Sequence, residues 1–184
     1  MSQATIYVPR DPAKGMCFIV EDDPGRRDWF VAKLGMPRIY GFFDKPEEAI
    51  SHLNWLNDHN ETVTSTGACS TKKSDHHGGF HTCCLKAYHK ERHKCMDCEK
   101  TWSNTLSLEN MYAFFLDHDL GGPYQPPYST DIAKRMHELD PKIGNRTVIH
   151  SANEPGARNL QAILPGSVYF PFGFFDIADA QEKS

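Results

Sequence analysis

The stretch Tyr112-Ala-Phe-Phe-Leu-Asp117-His118-Asp119-Leu-Gly121-Gly122 decides how this chain is read, because an apolar run stops at three ionisable residues and then at two glycines. A run apolar on both faces fits an interior strand of a parallel sheet covered by helices, whereas a half-exposed antiparallel strand would alternate. Ligands of such sheets gather at the carboxyl ends of the strands. The alternative is that Asp117 and Asp119 cap a turn and that His118 is a solvated loop residue. The remainder of the chain decides between them.

Toward the amino terminus, Met16-Cys-Phe-Ile-Val20 is a second apolar run, ending in Glu21-Asp22-Asp23 and Pro24. Asp23 suits a helix cap and Pro24 the first turn. Trp29, Phe30 and Leu34 recur at helical spacing and Gly35 ends the helix. Arg38–Phe43 reads as the next strand. Asp44 to Glu47 has the form of a capping box, and Ala49, Ile50, Leu53 and Leu56 form the stripe of the helix that follows. Beyond the opening stretch, Gly121 to Tyr128 is a Gly/Pro-rich loop. Ser129 or Thr130 then caps a helix carrying Ile132, Ala133, Met136 and Leu139. Arg146–His150 is a fourth strand, Asn153 caps a helix with Ala157, Leu160, Ile163 and Leu164, and Val168–Phe170 is a fifth strand.

Five strands alternating with four or five helices predict an α/β fold, a doubly wound five-stranded parallel sheet in the order 2-1-3-4-5. It occupies residues 15–57 and 111–172. Residues 58–110 are polar, rich in His, Cys, Lys, Ser and Thr, and too long for an ordinary connection, so they form an inserted subdomain. Residues 1–14 are a leader with an edge strand added over Thr5 to Val8, and residues 173–184 are a tail that packs on or frays from the sheet.

A chain of 184 residues allows one domain and an insertion. No run approaches the roughly 20 apolar residues of a membrane span, and the amino terminus lacks a secretory pattern, so a cytoplasmic protein without a membrane partner is expected. The formal charge of −4 excludes a globally basic nucleic-acid binder. Charge is nevertheless uneven: Lys72 to Lys100 holds seven Lys/Arg against four Asp/Glu, with five histidines, so an anionic partner would meet that segment first.

The insertion also carries Cys95-Met-Asp-Cys98 followed by Trp102, the form of a zinc-ribbon knuckle. A closed tetrahedral site needs four ligands. His81 and Cys84 offer the same spacing about ten residues upstream, giving a His81, Cys84, Cys95, Cys98 set for a structural Zn²⁺; Cys69, Cys83, His77, His89 and His93 are alternatives. Cys17, inside an apolar run, reads as a buried free thiol.

In the predicted topology, residues distant in sequence converge at the strand ends: Asp22 and Asp23, then Asp117, His118 and Asp119, then His150, Ser151 and Asn153. Clustered carboxylates repel unless they share a proton or a cation, which points to a hard divalent ion, Mg²⁺ or another, held by Asp22, Asp23 and Asp117. Asp23 and Asn153 also stand where helix caps belong.

These strand-end acids and the five-unit order resemble the receiver domain of bacterial response regulators, with Asp22 and Asp23 matching the acidic pair and Asp117 the phosphoacceptor. The fourth strand ends His150-Ser151 and the fifth Phe170-Pro171 without the receiver lysine, so acyl-phosphate signalling is not implied. Asp117-His118-Asp119-Leu120-Gly121 with His150-Ser151-x-Asn153 is similar to the divergent cyclic-phosphate-processing receiver domains. The resemblance covers residues 15–57 and 111–172.

It implies a metal-dependent phosphodiesterase that opens a cyclic nucleotide or a 2′,3′-cyclic phosphate on an RNA end. His118 and His150 would then be base and acid, Asp119 would fix a tautomer, and Ser151 and Asn153 would donate to phosphate oxygens. The competing expectation is a non-catalytic, receiver-like adaptor that grips a nucleic acid or a protein through its basic zinc insertion.

Overall fold

The structure, a computed structural model, describes residues 3–11, 13–58, 61–66, 101–121 and 128–181. Its centre is the sheet predicted from the sequence. The strands are β1 (Ala4–Val8), β2 (Cys17–Val20), β3 (Ile39–Phe43), β4 (Glu61–Thr66), β5 (Thr101–Leu106), β6 (Ala113–Leu116), β7 (Thr147–Ile149), β8 (Val168–Tyr169) and β9 (Phe175–Asp179). Five of them pair in the order β3-β2-β6-β7-β8, all parallel, which is the 2-1-3-4-5 order in sequence terms. β6 lies in the middle, with Phe18 opposite Phe114 and Leu116 opposite Ile149.

The helices are α1 (Pro24–Leu34), α2 (Pro46–Asp58), α3 (Tyr128–Leu139) and α4 (Glu154–Ile163). Because side chains alternate along a strand, the sheet has two apolar faces. Phe18, Val20, Phe114, Leu116 and Ile149 pack with Leu53 and Leu56 of α2, Ile132 and Met136 of α3, and Leu160 of α4. Cys17, Ile19, Ala113, Phe115 and Val148 point the other way, against Phe30 and Leu34 of α1 and Phe175 and Ile177 of β9. Each fully buried Phe or Leu contributes roughly 1.5–3 kcal/mol through burial, so both faces are needed to hold the sheet.

The two ends of the chain depart from expectation. β1 is not an added edge of the main sheet. It pairs in parallel with β9 as a separate two-stranded sheet, Ala4 opposite Phe175 and Val8 opposite Asp179. β9 and α1 together cover the second face, and the residues read as leader and tail supply core side chains there: Val8, Phe175 and Ile177 are at most 4 % exposed. Lys33 pairs with Asp176 at 2.7 Å and Arg38 with Asp179 at 2.7 Å, anchoring the tail.

The insertion leaves after α2 and returns before β6 on an antiparallel stem, with Glu61 opposite Leu106 and Thr66 opposite Thr101. The Leu108 amide donates to the Leu56 carbonyl at 3.1 Å, closing the stem against the end of α2. The expected zinc ligands His81, Cys84, Cys95 and Cys98 lie outside the described residues. No helix among the described residues is long and apolar enough to cross a membrane. Cys17 is free and buried, and burial pushes its thiol up to about 12, leaving it inert.

Candidate functional site

The carboxyl ends of β2, β6 and β7 are adjacent, and the residue directly after each strand continues its alternation onto the α1 face. Those residues are Glu21, Asp117 and His150, at most 1 % exposed, with ligand atoms all within 4.8 Å of one another. Backbone bonds lock them in place: the Asp117 amide donates to the Val20 carbonyl and the His150 amide to the Leu116 carbonyl.

The acidic pair facing Asp117 is therefore Glu21 and Asp22, one position earlier than Asp22 and Asp23. Asp23 is exposed and caps α1, its Oδ1 accepting from the Arg26 amide at 2.9 Å. Asp22 sits at the rim and accepts from the Gly121 amide at 2.5 Å, an approach a Cβ on Gly121 would crowd, at 2.9 Å from the same oxygen.

Several buried polar atoms of this group have no hydrogen-bond donor or acceptor: Glu21 Oε2, Asp117 Oδ2 and both ring nitrogens of His150. Burial pushes the Glu21 carboxyl up to about 7, and Asp117 is raised for the same reason. Burial, reinforced by the Arg26 charge, drives His150 down to about 3, so its imidazole is neutral across the physiological range. Its ring lies among Phe30, Phe115, Phe172 and Phe175, with centroids 5.3–6.4 Å away. The expectation that His150 exchanges protons near neutral pH does not suit this setting, because an apolar cage penalises the imidazolium.

The cation facing these acids is Arg26, on the first turn of α1. Its guanidinium lies 2.8 Å from Asp117 Oδ2, 3.3 Å from Glu21 Oε1 and 3.9 Å from Asp22 Oδ1, with its carbon 5.6 Å from the Phe172 ring centre. The Asp117 contact has an ion pair's distance without a hydrogen bond's alignment, so Oδ2 has a charge partner and no donor.

On the other side of the β6 end lies a polar rim. His118 Nδ1 is 2.7 Å from Asp119 Oδ1, which also accepts from Asn153 Nδ2 at 3.1 Å. The Ser151 hydroxyl donates to Asp119 Oδ2 at 3.4 Å, and the Asp119 amide to Asp117 Oδ1 at 3.3 Å, linking rim to buried group. Burial opposes ionisation of Asp119, but the hydrogen bonds from His118 and Asn153 outweigh it and hold the carboxyl below its ordinary range. A carboxylate only accepts, so Nδ1 of a neutral His118 carries the proton and Nε2 keeps its lone pair. The ring rests on Gly156, where a Cβ would lie within 2.5 Å of Cε1, Nδ1 and Nε2.

Ser151 and Asn153 are thus brought to His118 and Asp119, but their donors face Asp119. Asn153 also caps α4 through the Gly156 amide at 3.0 Å, and Ser151 is fully buried. Ser129, expected as a cap, instead donates to the carbonyls of Asp117 and His118 at 2.6 and 2.9 Å, tying the start of α3 to the end of β6. Sequence reading missed Glu21, Arg26 and Gly156. Glu21 was detectable as the first acid after an apolar run; Arg26, in a solvent-facing helical turn, carried no signal of its own.

A separate cleft of about 650 Å³, lined by Tyr7, Tyr112 and Val168 among others, opens at the amino ends of β6 and β7, away from these groups. No protein-family model matches this chain, and no curated protein or solved structure matches it either.

Proposed function

We propose that the strand-end site is a divalent-metal centre serving the hydrolytic opening of a cyclic phosphate, on a nucleotide or on a 2′,3′-cyclic RNA end. The observation carrying this reading is the 2.7 Å His118–Asp119 pair standing beside three buried donor residues, each with at least one polar atom that lacks a hydrogen-bond partner. Glu21, Asp117 and His150 would hold the metal. A neutral imidazole with two carboxylates favours Mn²⁺, Fe²⁺ or Zn²⁺ over the Mg²⁺ that an all-oxygen set would select. Bound there, the ion supplies charge neutralisation for the phosphodiester.

The remaining work belongs to the rim. His118 Nε2 takes the proton of the attacking water as its oxygen bonds to phosphorus, while Asp119 keeps the proton on Nδ1 and stabilises the imidazolium that forms; the ring P–O bond breaks and the released sugar oxygen takes its proton from solvent. Ser151 and Asn153 hold Asp119 in place, acting on the imidazole through it. His150 serves as ligand, not as acid.

The test separates these roles. Asp117→Asn is expected to lose metal and turnover together. His118→Ala is expected to keep the metal and lose about 10²- to 10⁴-fold in rate, the usual contribution of a positioned base. Metal retained in Asp117→Asn, or undiminished turnover in His118→Ala, would refute the assignment.

The close Arg26–Asp117 pair favours a second reading, in which Arg26 is a permanent counter-ion in a non-catalytic scaffold and the basic zinc insertion binds a nucleic acid or a protein. An absence of turnover and of metal uptake, together with binding that is lost when Lys86, Lys90 and Lys94 are neutralised, would establish that reading instead.

A further inference from the structure

Arg26 stands where the proposed metal would draw its charge. Its guanidinium contacts Asp117 Oδ2 and Glu21 Oε1, and Asp117 Oδ2 is itself among the donor atoms left without a hydrogen bond. A cation at three donors within 4.8 Å of one another and a guanidinium 2.8 Å from one of them would repel strongly in this buried setting. Arg26 is nevertheless able to leave. Its side chain is 25 % exposed, it belongs to the first turn of α1, and beyond the two buried carboxylates it faces the Phe172 ring at 5.6 Å and the rim residue Asp22 at 3.9 Å. His150 and Glu21, both fully buried, have no comparable freedom.

We infer that Arg26 is a tethered counter-ion that exchanges with the divalent metal: the guanidinium neutralises Asp117 and Glu21 in the metal-free protein and moves out from them when the ion enters. The inference rests on the proposed metal site and concerns how that site is gated. It accounts for two observations together, a guanidinium set directly against two buried carboxylates and, beside it, buried donor atoms left without hydrogen bonds.

The experiment is Mn²⁺ binding by calorimetry to the full chain and to two variants, with thermal melts in parallel. Arg26→Met removes the charge and keeps a flexible apolar stem against Phe172, so it should bind Mn²⁺ at least about tenfold more tightly, within the usual range for coupled sites. Arg26→Lys keeps a competing charge and should stay near wild type. Without metal, Arg26→Met should melt below wild type and gain more on Mn²⁺ addition. If it folds only when Mn²⁺ is added, that too supports exchange; failure to fold with Mn²⁺ counts against it. Adding Asp117→Asn should abolish the tight binding. Equal affinity in wild type and Arg26→Met would overturn exchange while leaving the metal site standing. No uptake by either would remove both.

Discussion

Glu21 and His150 face each other, with Nδ1 3.6 Å from Oε2, and burial moves them in opposite directions. Glu21 is raised from 4.5 to about 7, so its contribution to stability is present at low pH and is lost as pH rises through that interval. His150 is lowered from 6.5 to about 3, so the folded state loses stability as pH falls through that interval. Between 4.5 and 6.5 the two effects cancel. Removing one exposes the other. His150→Phe, which suits the aromatic cage, should lose stability with rising pH across that window, by up to about 1.4 kcal/mol per pH unit, and Glu21→Gln should gain it. Urea midpoints at the two ends of the window decide; parallel profiles in wild type and both variants would contradict the coupling. At this scale the sequence was legible for Asp117, His118, Asp119 and His150 as a cluster. It was misread at the first acidic run, because Glu21, Asp22 and Asp23 are equivalent in composition. Only the register of β2 against β6 decides which faces Asp117.

Elements were the most legible scale, because helix and strand periods are written in the apolar spacing. The caps at Asp23 and Asn153 follow from residue type alone. The role of Gly156 did not, since its significance comes from the His118 ring lying against it from another element. Gly156→Ala should drive that ring away from Asp119. A displacement of about an ångström costs roughly 10²-fold in rate, while the gain in helix propensity offsets part of any stability loss. Steady-state turnover and a thermal melt measure both effects; unaltered turnover would show that His118 does not depend on this packing. The stem formed by β4 and β5 brings the ends of the insertion together. For the insertion itself, about one equivalent of zinc is expected in protein purified without added metal, lost in Cys95→Ser/Cys98→Ser. Elemental analysis checks this, and zinc retained by the double variant would rule out those ligands.

For the whole molecule, the sheet order followed from the alternation of elements, but the joining of the chain ends did not. Short strands such as Ala4–Val8 and Phe175–Asp179 contain nothing local that names each other as partners. The structure nevertheless makes the tail part of the site: Phe175 and Phe172 border His150, and Phe172 borders Arg26. Phe175→Ala should cost about 3–5 kcal/mol in denaturant unfolding, because it opens a cavity next to the His150 cage; a cost under about 1 kcal/mol would show that β9 is peripheral.

The proposed activity is the opening of a cyclic phosphate by three strand ends and the His118–Asp119 pair together. Its most direct test is hydrolysis of 2′,3′- and 3′,5′-cyclic nucleotides and of cyclic-phosphate-ended RNA, with Mn²⁺ and with chelator. Turnover of at least one class with Mn²⁺, abolished by chelator and by Asp117→Asn, is expected. Turnover that survives chelation, or none with any of these substrates, would contradict it.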